Sequence, residues 1–252
     1  MLPTLPERYH LLDAIRGFVI LNVVVFHFLF DIYVLYEKNP AWTAAPAIDM
    51  WRQTVCWIFI FLSGFVWRWG RHSSWKRGLV LNLWGLLITL ISWLLFPARI
   101  IRFGILNFMG TAILLMIGLH KILDKIPPLI GMLSSVIAYS VCNSITRNLF
   151  SLNNIIDVPI PVWLYQWPIM APLGFPPPNF TSADYFPLLP WIFIYFLGYF
   201  AHMPLTRNTA WTKIFMQRIP ILSPLGTHTL LVYLIHQPLC LLLVSAIIPC
   251  LY

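Results

Sequence analysis

Apolar residues gather in seven long blocks along this chain, at about residues 10–36, 51–69, 78–96, 104–120, 127–143, 186–203 and 224–249. Blocks of roughly 17 residues or more with few charges predict membrane-crossing helices rather than strands or the helices of a soluble core. The first block breaks the apolar pattern in four places, at Asp13, Arg16, His27 and Asp31. At about 100° per residue, the step from Arg16 to His27 returns within about 20° of its starting direction, and Asp13 and Asp31 point the same way. All four therefore share one stripe. Facing lipid they would be costly, so the stripe is expected to face protein or a water-filled cavity, where intramembrane ionisable groups carry function.

Composition agrees with the pattern. The 252 residues are 60% hydrophobic and only 10% charged, and the mean hydropathy is +0.79, outside the range of a soluble domain. The expected architecture is all-α: a polytopic membrane protein of about seven transmembrane helices around a polar central cavity, in one domain spanning 1–252. Residue 8, the 68–77 cluster, Lys121, Lys125 and the 207–218 segment put ten Lys and Arg on one side of the membrane against five on the other. The positive-inside bias makes the N-terminus cytoplasmic. The net charge of +8 is then topology, and a nucleic-acid partner is not expected, because the basic residues are scattered over loops. Four cysteines, Cys56, Cys142, Cys240 and Cys250, fall near outer helix ends with no metal or redox spacing.

Asp31 follows His27 by four residues, one helical turn along the same face. A carboxylate at that spacing can fix an imidazole's tautomer and raise its basicity, leaving the other ring nitrogen as base or nucleophile. His236 and Gln237 lie deep enough in the last block to approach His27, just before Pro238, which frees a helix carbonyl. His236 has three chemical roles open to it: orienting a thioester, donating to an oxyanion, or serving as a second acid or base. The bland reading of both histidines is hydrogen bonding between helices. Two other functional classes use the same polar residues. One is a small-molecule or proton-coupled transporter, disfavoured by the absence of a visible inverted repeat. The other is a metal-dependent hydrolase built on His27, Asp31, His236 and Asp184, whose further ligands the spacing does not supply; no metal site is expected.

A set of motifs then occurs in order: Leu12-Asp13-Ala14-Ile15-Arg16-Gly17 with His27, Phe61-Leu62-Ser63-Gly64-Phe65, Phe103-Gly104-Ile105-Leu106-Asn107-Phe108, Asp184 through Trp191, and Tyr233-Leu234-Ile235-His236-Gln237-Pro238. Together they resemble the heparan-alpha-glucosaminide N-acetyltransferase catalytic-domain family in a short prokaryotic form. The Arg-x10-His element is similar to that of membrane acyltransferases acting on surface polysaccharides. The resemblance implies an enzyme that moves an acetyl group from cytoplasmic acetyl-CoA to an extracytoplasmic acceptor such as an amino sugar or envelope glycan.

On that reading His27, Asp31 and His236 are catalytic. Asp13, Arg16, Arg71, Lys76 and Arg77 serve the donor, and Asn107, Asp184 and Gln237 serve the acceptor. Asn107 stands where the family pattern carries a histidine, so it would supply a hydrogen bond rather than a base. The expected location is a prokaryotic inner membrane, with lipid around the apolar helices. A homo-oligomer is compatible with that composition.

Overall fold

The computed structural model describes residues 9–152 and 156–247; residue 8 and Cys250 lie outside them. The chain is a series of helices: α1 (His10–Phe30), α2 (Pro46–Val66), α3 (Ser74–Leu95), α4 (Ile105–Leu123), α5 (Pro128–Cys142), α6 (Leu188–Arg207), α7 (Thr209–Phe215), α8 (Leu222–Thr227) and α9 (Thr229–Ile247). The seven long ones follow the seven apolar blocks. Among the described residues, six segments are long and apolar enough to cross a bilayer: His10–Leu35, Arg71–Leu95, Ile105–Leu123, Pro128–Arg147, Leu188–Arg207 and Thr229–Ile247. The second expected span is helical as α2 but is not among the six, since Asp49, Arg52 and Gln53 occupy its first turns. This is a polytopic membrane protein. Its α3 shows the lipid-solvent logic plainly: Leu83, Leu86, Trp93, Leu94 and Leu95 are all exposed, as a helix surrounded by hydrocarbon allows.

One small element lies outside the helices. The long connection after α5 carries a two-stranded antiparallel hairpin, β1 (Leu149–Leu152) with β2 (Ile156–Pro159), in which Leu149 pairs with Pro159 and Phe150 with Val158. Beside it Ile145, Ile160 and Tyr165 form a small buried cluster, and the Tyr165 hydroxyl donates to the Ile145 carbonyl at 2.5 Å. Four-residue strands are too short to declare themselves by alternation.

The chain divides into two compact units, Met1–Leu62 with Leu205–Tyr252, and Ser63–Pro204. In the first, α1 packs against α8 and α9. Contact with α8 is backbone to backbone. A Cβ on Gly226 would collide with the Asp13 carbonyl, and one on Gly17 with the Leu222 carbonyl. Only glycines permit this approach, the same small-residue device that joins helices in membranes generally. The Ser223 hydroxyl donates to the His10 carbonyl at 3.1 Å, adding a polar tie that lipid cannot compete for.

In the second unit, α3 and α4 form the main helix pair. Gly78 and Gly85 on α3 and Gly110 on α4 let the two approach. Asn82 binds along the seam, donating to the Gly78 carbonyl at 3.0 Å and accepting from the Thr111 hydroxyl at 3.3 Å. Amide and hydroxyl groups satisfy one another where no water is at hand.

Candidate functional site

The first unit collects four of the polar residues singled out above. His27 lies near the end of α1, and the helix then widens into a π-helical segment, Asp31–Leu35, where the Tyr36 N–H reaches back to the Asp31 carbonyl at 3.0 Å. Such π segments often mark functional positions in helices. Asp31 is completely buried. Its Oδ1 accepts from Gln237 Nε2 at 2.9 Å, linking α1 to α9. The imidazoles of His27 and His236 face each other with centroids 4.8 Å apart and planes at 62°.

One geometric expectation is overturned here. No side-chain hydrogen bond joins the Asp31 carboxylate to the His27 imidazole among the described residues. The turn between them is regular, with the Asp31 N–H bonded to the His27 carbonyl, so spacing puts the two on one face without choosing their partners, and Asp31 Oδ1 accepts from Gln237 instead. His236 instead occupies the space beside the His27 ring. Its Nδ1 lies 2.5 Å from the Tyr233 carbonyl. Three buried atoms of this cluster have no partner: Asp31 Oδ2, His236 Nε2 and Gln237 Oε1. Unsatisfied buried polar atoms are costly, and these three leave the cluster with hydrogen-bonding capacity unspent.

An aromatic wall flanks the cluster. Phe26 packs on Trp42 and Trp51 at centroid distances of 5.4 and 5.5 Å, and Tyr33 stacks on Trp42 at 5.4 Å. Trp51 is itself fixed by donating from Nε1 to Asn22 Oδ1 at 3.0 Å. Sequence reasoning missed this wall, because Trp42 lies in a short 3-10 turn outside the apolar blocks.

At the other end of α1, Asp13 and Arg16 form an ion pair at 2.8 Å. Asp13 is buried while Arg16 is partly accessible. They form a polar pair where the helix is held most tightly by α8.

The remaining expected site residues belong to the second unit. Asn107 is buried on α4. Its amide packs against Gly85 and donates to the Asn82 carbonyl at 3.4 Å. Asp184 Oδ2 accepts from the Ile105 N–H at 3.2 Å, completing the N-terminus of α4, where a carboxylate meets orphan donors and the positive end of the helix dipole. Both residues therefore have packing duties that their sequence context did not announce.

Arg71 begins the 3-10 turn that precedes α3. It lines a cavity of about 410 Å³ together with Trp67, His72, Trp75, Ile117 and His120. His120 places its Nδ1 2.9 Å from the Ile117 carbonyl, while its Nε2 and the Trp67 indole nitrogen are buried without partners. Lys76 lies over the Trp75 ring at 5.5 Å, and Arg77 donates to the Gly70 carbonyl at 2.8 Å, bracing the turn. Nearby, Asp124 accepts from Arg68 at 2.5 Å and from the Tyr199 hydroxyl at 2.6 Å. Burial pushes the Asp124 carboxyl up, but these two donors and the Arg68 charge outweigh it and hold the carboxyl below its ordinary value.

Among the described residues no three His, Cys, Asp or Glu side chains are grouped so as to hold a metal ion.

In a polytopic helical membrane protein, two facing imidazoles with a buried carboxylate nearby are groups that can conduct acid–base chemistry. The comparison with known families makes this specific. Residues 8–238 match the family described as heparan-alpha-glucosaminide N-acetyltransferase, catalytic, and the chain belongs to that family. Its class is therefore that of a membrane acetyltransferase. No curated protein and no solved structure matches the chain.

Proposed function

We propose that the protein takes an acetyl group from cytoplasmic acetyl-CoA and delivers it to an amino sugar or related envelope glycan on the other side of a prokaryotic inner membrane, with His27 as base or transient acyl carrier. The observation that carries this reading is the His27–His236 pair in a chain of an acetyltransferase family. His27 is only partly buried and its side chain makes no hydrogen bond among the described residues, which leaves a ring nitrogen available for substrate.

Charge distribution supports the direction of transfer. A cytoplasmic N-terminus puts Arg16 in the first third of its span and His27 about 16 Å further along at 1.5 Å per residue. The extended arm of the donor is long enough for such a distance. Arg71, Lys76 and Arg77 would attract the donor's phosphates, and the flat faces and nitrogen edges of Trp67, Trp75 and His120 around the 410 Å³ cavity suit a heterocycle. Asp31 and Gln237 would present acceptor oxygens to the hydrogen-rich acceptor.

In the reaction, the acceptor's N–H or O–H proton passes to His27 as the acceptor attacks the thioester carbonyl. The carbon–sulfur bond breaks, and the departing thiolate recovers the proton. If His27 itself carries the acetyl group, the same balance is reached in two transfers.

The test is transfer across a sealed membrane. Proteoliposomes are loaded with a panel of amino sugars, and labelled acetyl-CoA is added outside to protein of mixed orientation. Label appearing on trapped acceptor supports the reading. Acetyl-CoA left unconsumed across the panel would refute it.

A further inference from the structure

We infer that His236, rather than Asp31, is the positioning residue that sets the tautomer of His27, through a relay anchored on a backbone carbonyl. The inference rests on the acyl-transfer reading for its chemical purpose, but its geometry stands apart from it. A carbonyl oxygen can only accept, so the 2.5 Å approach of His236 Nδ1 to the Tyr233 carbonyl requires the proton on Nδ1. The other nitrogen, Nε2, is then a lone pair. It is buried and without a partner.

The neighbouring ring is His27. Its centroid is 4.8 Å from that of His236, with the planes at 62°, and two imidazoles joined by one N–H···N bond of about 2.9 Å have centroids roughly 5 Å apart. Reorienting the His27 ring brings an N–H onto His236 Nε2 and removes the cost of that unsatisfied acceptor. Asp31 does not take this part: its Oδ1 accepts from Gln237, and its Oδ2 bonds to no group, His27 included. The chain of polarity thus runs from the Tyr233 carbonyl to His236 and from His236 to His27. One His27 nitrogen is committed as donor, and the other is left as the base.

This arrangement gives the histidine pair unequal duties. His27 alone meets the acceptor's proton and the thioester. His236 receives the inner N–H of His27 and steadies the imidazolium formed when the outer nitrogen is protonated, as a second group commonly does for a catalytic histidine. Asp31 with Gln237 ties α1 to α9 and keeps the two rings opposite each other.

The experiment is nitrogen NMR of histidine-labelled full-length protein in nanodiscs, with His236→Leu, His236→Gln and Asp31→Asn, alongside turnover of acetyl-CoA. In the wild type, His236 is expected as the Nδ1–H tautomer and His27 as a single tautomer. His236→Leu should leave His27 in a tautomer mixture and lower kcat on the order of 100-fold, with KM for acetyl-CoA within about twofold of wild type. His236→Gln restores an acceptor and should recover at least about tenfold of that loss. Asp31→Asn should leave the His27 tautomer unchanged. An Nε2–H tautomer at His236 in the wild type, or a His27 signal that follows Asp31 and ignores His236, overturns the inference. The wild-type and Gln spectra decide even if His236→Leu fails to fold. The spectra also decide whether or not any acceptor is turned over, so failure of the relay and failure of the acetyl-transfer reading give different results.

Discussion

The two ends of α1 are built on opposite principles. From Leu12 to Ile20 the helix buries Leu12, Ala14, Gly17, Val19 and Ile20, and its backbone touches that of α8 through Gly17 and Gly226. Its charges there are paired, Asp13 with Arg16. From Leu21 to Phe30 no residue is fully buried, and the next that is, Asp31, has an oxygen without a partner. The first end spends its polar groups on structure. The second leaves buried acceptor atoms without partners beside two facing imidazoles. A rigid end and a chemically unfinished end on one helix are what a site needs: fixed geometry at one point and unspent hydrogen-bonding capacity at the other.

This contrast is easiest to break at Gly226. Gly226→Val would drive a branched side chain into the Asp13 carbonyl, with no rotamer to relieve it, and should cost about 3 kcal/mol or more. The expected readout is loss of monodisperse, detergent-stable protein together with all activity. At the other end, His27→Ala should reduce turnover by about 10²–10⁴-fold while the thermal midpoint reports a stability loss below about 1 kcal/mol.

The Asp31–Gln237 link lies between these extremes. Gln237→Leu leaves the buried Asp31 Oδ1 without its donor and should destabilise by about 1–3 kcal/mol. Replacing both residues with leucine should recover part of that loss, because it removes the orphaned acceptor as well. A double variant less stable than the single would show that Asp31 has other supports.

The smallest effect concerns Asp124, which serves as a control outside this helix. Its carboxyl is held below the ordinary value near 3.9, so its contribution to stability is fully present above that value. It is lost as pH falls through the lowered one. Asp124→Asn should flatten the acid limb of a thermal-stability profile and change stability at neutral pH by less than about 1 kcal/mol, the pair being partly exposed.

Most of the helical layout was legible because long apolar blocks and helix limits share a cause: hydrocarbon demands that each crossing segment satisfy its own backbone. The block read at 104–120 is the helix Ile105–Leu123, and the block at 224–249 contains Thr229–Ile247. What escaped was short or set by tertiary contact. α8 has six residues and a proline, too little for periodicity, and its importance comes from glycine backbone contacts that hydropathy does not register. The shared depth of His27 and His236 was visible from their positions in their spans. The pairing of His27 with Asp31 was misread because spacing along one helix places two side chains on one face but does not register a partner from another helix, here Gln237 on α9. Asp184 was legible as an intramembrane-edge carboxylate but not as the group that completes α4, since that contact bridges 79 residues of sequence.

The central claim is that chemistry belongs to the unfinished end of α1 and stability to the packed end. The most direct measurement is acceptor-stimulated thiol release from acetyl-CoA by purified protein, comparing wild type with His27→Ala at equal folded fraction. The account predicts release that depends on acceptor in the wild type and falls at least about 100-fold in the variant, with the same melting behaviour. Undiminished release from folded His27→Ala would contradict it.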